Sequence, residues 1–202
     1  MDKIKNVLAR LERQSILEKT RQVDVESDRR MLAITPETAR FYHKLLIGIR
    51  AKNILELGTS TGYSTLWFAD AILHHTKNPK ITTIEGNPTK VRMARSNFEA
   101  AGVSQYIKIK QGKIRDVLKN MPLKPAFEFV LIDADKENIT EYFEQVLPRT
   151  KIGGIIATDN VLLPAKYQKF MRKYTAHIAK NRRVVTGTIP LGYGQEITIR
   201  LS

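Results

Sequence analysis

The segment Asn53-Ile54-Leu55-Glu56-Leu57-Gly58-Thr59-Ser60-Thr61-Gly62-Tyr63-Ser64 decides the fold. A short apolar run carries an acid, breaks into a turn bracketed by glycines, and opens an apolar helix at Thr65-Leu66-Trp67-Phe68-Ala69. That succession reads as a buried parallel strand, a tight turn and a helix N-terminus. Gly58 frees the backbone from a Cβ and lets a ligand approach. The unpaired N–H groups of the helix start favour an anion such as a carboxylate. A second run, Ile81-Thr82-Thr83-Ile84-Glu85, also ends in an acid, suited to gripping a ribose diol. Together they describe an adenosine-bearing cofactor lying across the carboxyl ends of a parallel sheet.

Spacing narrows the cofactor. A dinucleotide fold uses G-x-G-x-x-G, because a pyrophosphate lies against the turn and the helix must pack closely. Here position 60 is serine and the pattern is E-x-G-x-x-x-G. It resembles the first motif of S-adenosylmethionine-dependent methyltransferases, whose cofactor has no phosphate to cradle. A purely structural strand, turn and helix would account for Gly58 alone. It leaves Glu56, Gly62 and Glu85 unexplained.

Outward from this stretch, strands and helices alternate. Residues 2–20 space Ile4, Val7, Leu8, Leu11 and Ile16-Leu17 as an amphipathic helix that packs on the domain or on a second subunit. Asp24 to Arg30 reads as a loop. Thr35-Pro36-Glu37 starts a helix running to about Ile49, with Thr35 as N-cap. Asn87-Pro88 caps another, with Val91, Ala94 and Phe98 inward and Gly102 as its stop. Tyr106 to Lys110 is a third strand, and Asp116 to Met121 a short helix. Phe127 to Ile132 is a fourth strand, ending at Asp133-Ala134-Asp135-Lys136, and a helix follows to about Leu147. Ile152 to Thr158 is a fifth, led in by Gly153-Gly154. Lys166 to Lys180 reads as helix, then Arg183 to Ile189 and Gln195 to Leu201 as two strands joined by a turn. The expected fold is therefore α/β, a three-layer Rossmann-like sheet, mostly parallel and closed by a C-terminal antiparallel hairpin. A single domain over 1–202 is expected, with 1–30 a helical extension and 31–202 the core.

Composition sets limits. At 202 residues with 42% hydrophobic and 27% charged residues, the chain matches ordinary globular proteins with one sizeable core. No apolar run approaches the ~20 residues that cross a bilayer, so no membrane partner is expected. The first thirty residues are too charged for a secretory signal, and a cytoplasmic location is the default expectation. The absence of cysteine excludes thiol catalysis, zinc thiolates and disulfides. Thirty-four basic against twenty acidic residues give +14, and they are unevenly spread. Val161 to Gln195 holds no acid but has Lys166, Lys169, Arg172, Lys173, Lys180, Arg182 and Arg183. A nucleic-acid surface and a solvated helix face with a basic loop are both open readings. His43, His74, His75 and His177 are scattered and read as surface or packing residues.

The tips of the fourth and fifth strands form a second constellation. Asp133 ends one and Asp159-Asn160 the other, and neighbouring parallel strands lie about 5 Å apart. Two carboxylates and an amide oxygen are hard ligands suited to Mg²⁺, Mn²⁺ or Ca²⁺. Acids also end sheet strands without binding metal, and Asp159 could cap a helix, so geometry leaves the metal open.

Here the resemblance becomes specific. Glu-Leu-Gly…Gly-Tyr-Ser, Ile-Glu-Gly-Asn-Pro, Leu-Ile-Asp-Ala-Asp-Lys, Asp-Asn-Val and a terminal Pro-Leu-Gly-x-Gly occur in order. The chain from about Leu32 to its end resembles the metal-dependent class I O-methyltransferases, relatives of the catechol and caffeoyl-coenzyme A enzymes. The resemblance implies that Glu56, Gly58 and Thr59 border the methionine portion of S-adenosyl-L-methionine, while Ser64 holds its carboxylate. It implies that Glu85 binds the ribose, that Ile114 lies by the adenine, and that Ile34 and Asp133 also flank the cofactor. Asp133, Asp159 and Asn160 would hold a divalent cation, Mg²⁺ first. Lys136 matches the lysine that takes the acceptor's proton, and Asp133 shares in catalysis. Without the family, Lys136 would read as a solvated residue of a helix's first turn.

The implied reaction moves a methyl group to a hydroxyl of a small catechol-like acceptor. An alternative keeps the same core but methylates 5-hydroxyuridine in tRNA, which a basic site without a lid would suit. Relatives of this kind imply a homodimer. Departures from the family pattern touch acceptor specificity: Gly112-Lys113-Ile114-Arg115 is bulky and basic, the segment after Val161 is short, and Tyr193 stands where relatives carry an aspartate.

Overall fold

Each apolar run becomes a strand because both of its faces are covered, and each amphipathic run becomes a helix on one of those faces. The computed structural model describes residues 2–202. Its strands are β1 (Asn53–Leu57), β2 (Lys80–Glu85), β3 (Ile107–Gln111), β4 (Phe127–Ile132), β5 (Thr150–Asp159), β6 (Val184–Ile189) and β7 (Gln195–Arg200). Its helices are α1 (Asp2–Lys19), α2 (Pro36–Gly48), α3 (Tyr63–Leu73), α4 (Pro88–Ala100), α5 (Ile114–Lys119), α6 (Ile139–Val146) and α7 (Gln168–Ile178). One seven-stranded sheet has the order β3-β2-β1-β4-β5-β7-β6. The first five strands are parallel, and β7 runs antiparallel to both β5 and β6. The α/β sheet with its terminal hairpin is the architecture the alternation predicted.

The caps are those the residue types dictate. Thr35 Oγ1 accepts from the Thr38 N–H at 3.3 Å with Pro36 in the first turn of α2. Asn87 Oδ1 accepts from the N–H groups of Thr89 and Lys90 at the start of α4, and Gly102 at φ 70° ends it. In α1, Ile4, Val7, Leu8 and Leu11 are buried. Arg10 donates to Asn97 and the Tyr63 hydroxyl donates to Glu12, so α1 packs on its own chain, against α3 and α4.

Boundaries moved in three places. β5 starts at Thr150, and its register with β4 slips between Phe127 and Phe129, so Gly153-Gly154 lies inside the strand as an irregularity and does not precede it. The short helix starts at Ile114, not Asp116, and α7 starts at Gln168 after a 3-10 turn at Ala165–Tyr167.

Strand parity sorts the core into two sides. Ile54, Ile81, Phe129, Leu131 and Ala157 meet α1 to α4. Leu55, Leu57, Val130, Ile132 and Ile156 meet α5, α6 and α7. The strand order reverses between β1 and β4, and a crevice opens at the carboxyl ends there. At that point Asp133 N–H donates to Leu57 O at 2.9 Å. Gly58 (φ 97°) is needed because a Cβ would lie 2.0 Å from the Asp133 carbonyl oxygen. The close approach that its small size permits is thus first of all between two strand exits. Among the described residues, no helix is long and apolar enough to cross a membrane.

Candidate active site

The crevice widens into a cavity of about 1220 Å³. Single-ligand pockets run to roughly 300–1,000 Å³, so this one has room for two molecules side by side. The tips of β1, β2 and β3 are each followed at once by glycine, and Gly58, Gly86 and Gly112 all line the cavity. Glu85, the last residue of β2, lines it too. Its carboxylate accepts from the Ser60 N–H at 2.8 Å and from the Asn87 N–H at 2.9 Å, which fixes its position at the rim. Ser60 takes a left-handed conformation, φ 49°, without being glycine. Ile114, Asp133, Lys136, Asp159 and Asn160 complete the set of anticipated residues on the cavity wall.

Four anticipated residues stand behind the wall instead. Glu56 is fully buried, and its carboxylate accepts hydroxyls from Ser64 (2.5 Å) and Thr65 (2.5 Å) of α3 and from Thr83 (2.6 Å) of β2. Ser64 therefore gives its hydroxyl to Glu56. Thr59 Oγ1 lies 2.5 Å from Thr83 Oγ1, inside the same buried cluster. Ile34 is buried in the core, and the adjoining cavity wall is made by Met31, Leu32 and Ala33. Glu56 thus ties the start of α3 to two strands. Burial pushes its carboxyl up to about 7, against the three hydroxyls that favour the ionised form.

Removing this tie has a measurable cost. Glu56→Ala leaves three buried hydroxyls without their acceptor, at about 1–3 kcal/mol each. We expect at least ~3 kcal/mol of lost stability, a fall in Tm of about 6–12 °C in a scanning calorimeter. The neutral acid is the form that folding favours, since the folded value near 7 exceeds the ordinary 4.5. Its contribution is full below about pH 4.5 and is lost as pH rises through about 7. Glu56→Gln is expected to flatten that part of the stability profile.

The wall that carries the acids and the lysine lies at the tips of β4 and β5. Lys136 sits in the 3-10 turn Lys136–Asn138 after β4, almost wholly buried, with Nζ 3.2 Å from Asp133 Oδ1. Asp159 closes β5 and is 2% exposed. Burial first, and then the Asp133 carboxylate, raise its carboxyl to about 7. Two acids are thus held where a single extra positive charge would relieve both. Asn160 follows at φ 66°, a conformation asparagine tolerates better than most side chains.

Behind Asp159 is a pair of residues that sequence reasoning missed. The Gln195 amide N–H donates to Asp159 Oδ1, and the buried Tyr42 hydroxyl donates to Gln195 Oε1 at 2.5 Å. Gln195 opens β7 directly opposite Asp159 in the antiparallel register. The hairpin pairing was the signal that could have revealed it. On the open side, Lys19, Arg21, Lys166, Tyr167 and Tyr193 also line the cavity. Lys166 Nζ lies 4.8 Å from the Tyr167 ring centre. Arg115, anticipated as a change near the adenine, is held by Asn138 (3.0 Å) and Glu141 (2.6 Å).

Comparison with known proteins gives a consistent answer. The family model described as O-methyltransferase matches residues 9–201. A catechol O-methyltransferase of Niastella koreensis is 37% identical over 137 residues, covering 67% of this chain and 61% of that protein. A caffeoyl-CoA O-methyltransferase of Petroselinum crispum is 29% identical over 205 residues, covering 92% of this chain and 84% of that protein. A catechol O-methyltransferase of Mycobacterium tuberculosis is 32% identical over 131 residues, so the chain spans 61% and 58% of the length of these two catechol enzymes. Among solved structures, an O-methyltransferase from Bacillus cereus in complex with SAH superposes with a TM-score of 0.78 at 26% identity. That superposition covers 99% of this chain and 91% of the other.

Proposed function

The chain belongs to the O-methyltransferase family, and from that premise we propose that it methylates a hydroxyl of a small catechol-like acceptor, with S-adenosylmethionine as donor and a divalent cation, Mg²⁺ first, at Asp133, Asp159 and Asn160. The observation that carries this reading is the juxtaposition of buried Asp159, half-buried Asp133 and buried Lys136 on one wall of a cavity with room for two molecules.

The residues fit both groups. Gly58, Gly86 and Gly112 leave the strand tips bare for the donor, and Glu85 offers a fixed carboxylate to a ribose diol. Asp133 and Asp159 repel one another where Asp159 is buried, which favours a hard divalent ion over two protons. Asp133, Asp159 and Asn160 would hold such an ion, which would supply Lewis acidity toward the acceptor hydroxyl. Lys136 Nζ, 3.2 Å from Asp133 Oδ1 and lining the same cavity, is placed to act as the base. The acceptor hydroxyl gives its proton to Lys136 Nζ. Its oxygen then forms a bond to the methyl carbon in line with the breaking carbon–sulfur bond, whose electron pair returns to sulfur. Alignment supplies much of the rate in a displacement of this kind.

The tRNA reading rests on the exposed charge of α7 and the loop after it, and no relative described above is named for RNA. One assay separates the two acceptors: transfer of labelled methyl from S-adenosylmethionine, with Mg²⁺ and with excess chelator, to caffeate and to hydroxyuridine-containing tRNA in parallel. Label in caffeate only with Mg²⁺ is expected. Label in RNA alone would overturn the small-acceptor reading.

A further inference from the structure

Away from the cavity, whose lining includes none of them, α2 and the end of α3 bring together His43, Asp70 and His74. One donor atom from each lies within 4.8 Å of the other two. We propose that these three side chains bind a divalent transition-metal ion of the zinc class, at a site separate from the catalytic cavity.

The local chemistry favours such an ion. Asp70 and His74 stand four residues apart at the end of α3, the spacing that sets two ligands on one helix face. His43 reaches across from α2, with Nε2 2.9 Å from Asp70 Oδ2. The rings of His43 and His74 meet edge to face with centres 5.7 Å apart. Asp70 is 5% exposed, and its second oxygen, Oδ1, is buried with no hydrogen-bond partner. A buried carboxylate oxygen left unsatisfied costs free energy, and a cation against it removes that cost. Two imidazoles and one carboxylate are a donor set for Zn²⁺, Co²⁺ or Ni²⁺, whereas Mg²⁺ and Ca²⁺ take oxygen ligands. Three protein ligands leave a fourth position to water. His74 is exposed at the helix end, so an ion can enter from solvent without opening the core. Bound there, it ties α2 to α3 at the surface above the aromatic contact of His43 with Trp67.

The test uses tag-free full-length protein with Mg²⁺ saturating the catalytic cavity. Co²⁺ is titrated and its visible d–d absorption recorded, and Zn²⁺-dependent melting is measured beside it. We expect one equivalent of Co²⁺ to give a spectrum with imidazole ligation, and Zn²⁺ to raise Tm. His74→Ala should weaken Co²⁺ binding at least about tenfold and abolish the Zn²⁺ shift. His43→Gln should do the same, whereas Asp159→Ala should leave both readouts in place. Co²⁺ binding that ignores His74→Ala and His43→Gln, or that vanishes with Asp159→Ala, would place the ion in the cavity and overturn the proposal. Absence of any Co²⁺ spectrum would overturn it as well.

Discussion

Lys136→Arg and Lys136→Met are both expected to lower turnover by about 10²–10⁴-fold, the usual contribution of a positioned general base, while S-adenosylmethionine binding persists. The two replacements separate charge from proton transfer. Arginine keeps the positive charge beside Asp133 but cannot give up its proton near neutral pH. Methionine keeps the length and loses the charge. If Lys136 served only to balance Asp133, now 3.2 Å away, arginine would restore most of the rate. If it is the base, arginine fails as methionine does, and the residual rate of both climbs with pH as the acceptor hydroxyl ionises unaided. Calorimetric titration with the donor checks that the cavity still forms. A loss in kcat with an unchanged donor affinity marks an interaction made in the transition state. Wild-type turnover in either variant would remove Lys136 from the mechanism.

What could be read in advance followed from how each residue's surroundings are encoded. Phe127-Glu128-Phe129-Val130-Leu131-Ile132 became β4 with the anticipated ends, because a covered central strand needs an apolar run, here Phe129 to Ile132, and the acid after it must leave the core. The cavity residues Gly58, Glu85, Asp133, Asp159 and Asn160 were legible because each lies at or just past the carboxyl end of a strand, whereas Ile114 and Lys136 were reached only through the family resemblance.

Glu56 lies two rungs deeper in the sheet than Glu85. It pairs with Thr83, one residue short of the end of β1, whereas Glu85 is the last residue of β2 and pairs with Gln111. Two residues along a strand keep the face and change the depth. Glu56 consequently points with Ile54 toward the α3 side and collects hydroxyls from Ser64 and Thr65, which removes Ser64 and Thr59 from the cavity wall as well. No local pattern distinguishes an acid that faces a ligand from one that faces three hydroxyls, one of them 27 residues away. His43 and His74 were likewise invisible as a pair. Their meeting at Asp70 depends on the rotation of α2 against α3, which packing sets and neither helix's sequence states.

Metal removal is expected to have an effect of the same order as loss of the base. Lewis-acid stabilisation is worth several kcal/mol, and about 4 kcal/mol corresponds to roughly a thousandfold in rate. Excess chelator should therefore reduce methyl transfer about 10³-fold or more, with activity returning on added Mg²⁺. Asp159→Ala should lose a similar factor, and chelator should add little to it, because both remove the same interaction. A second readout is independent of turnover. Asp159, raised to about 7 by burial and by Asp133, stabilises the metal-free fold fully below its ordinary value of 3.8 and loses that contribution as pH rises through about 7. Above that pH both acids carry charge and repel, and a cation between them restores stability. The rise in Tm on adding Mg²⁺ should thus be larger at pH 8 than at pH 6. Asp159→Asn should shrink it at both, while Glu56→Gln, whose side chain does not line the cavity, should leave it in place. Full turnover in excess chelator would sink the metal assignment. A Mg²⁺ shift that survives Asp159→Asn would place the ion elsewhere in the molecule.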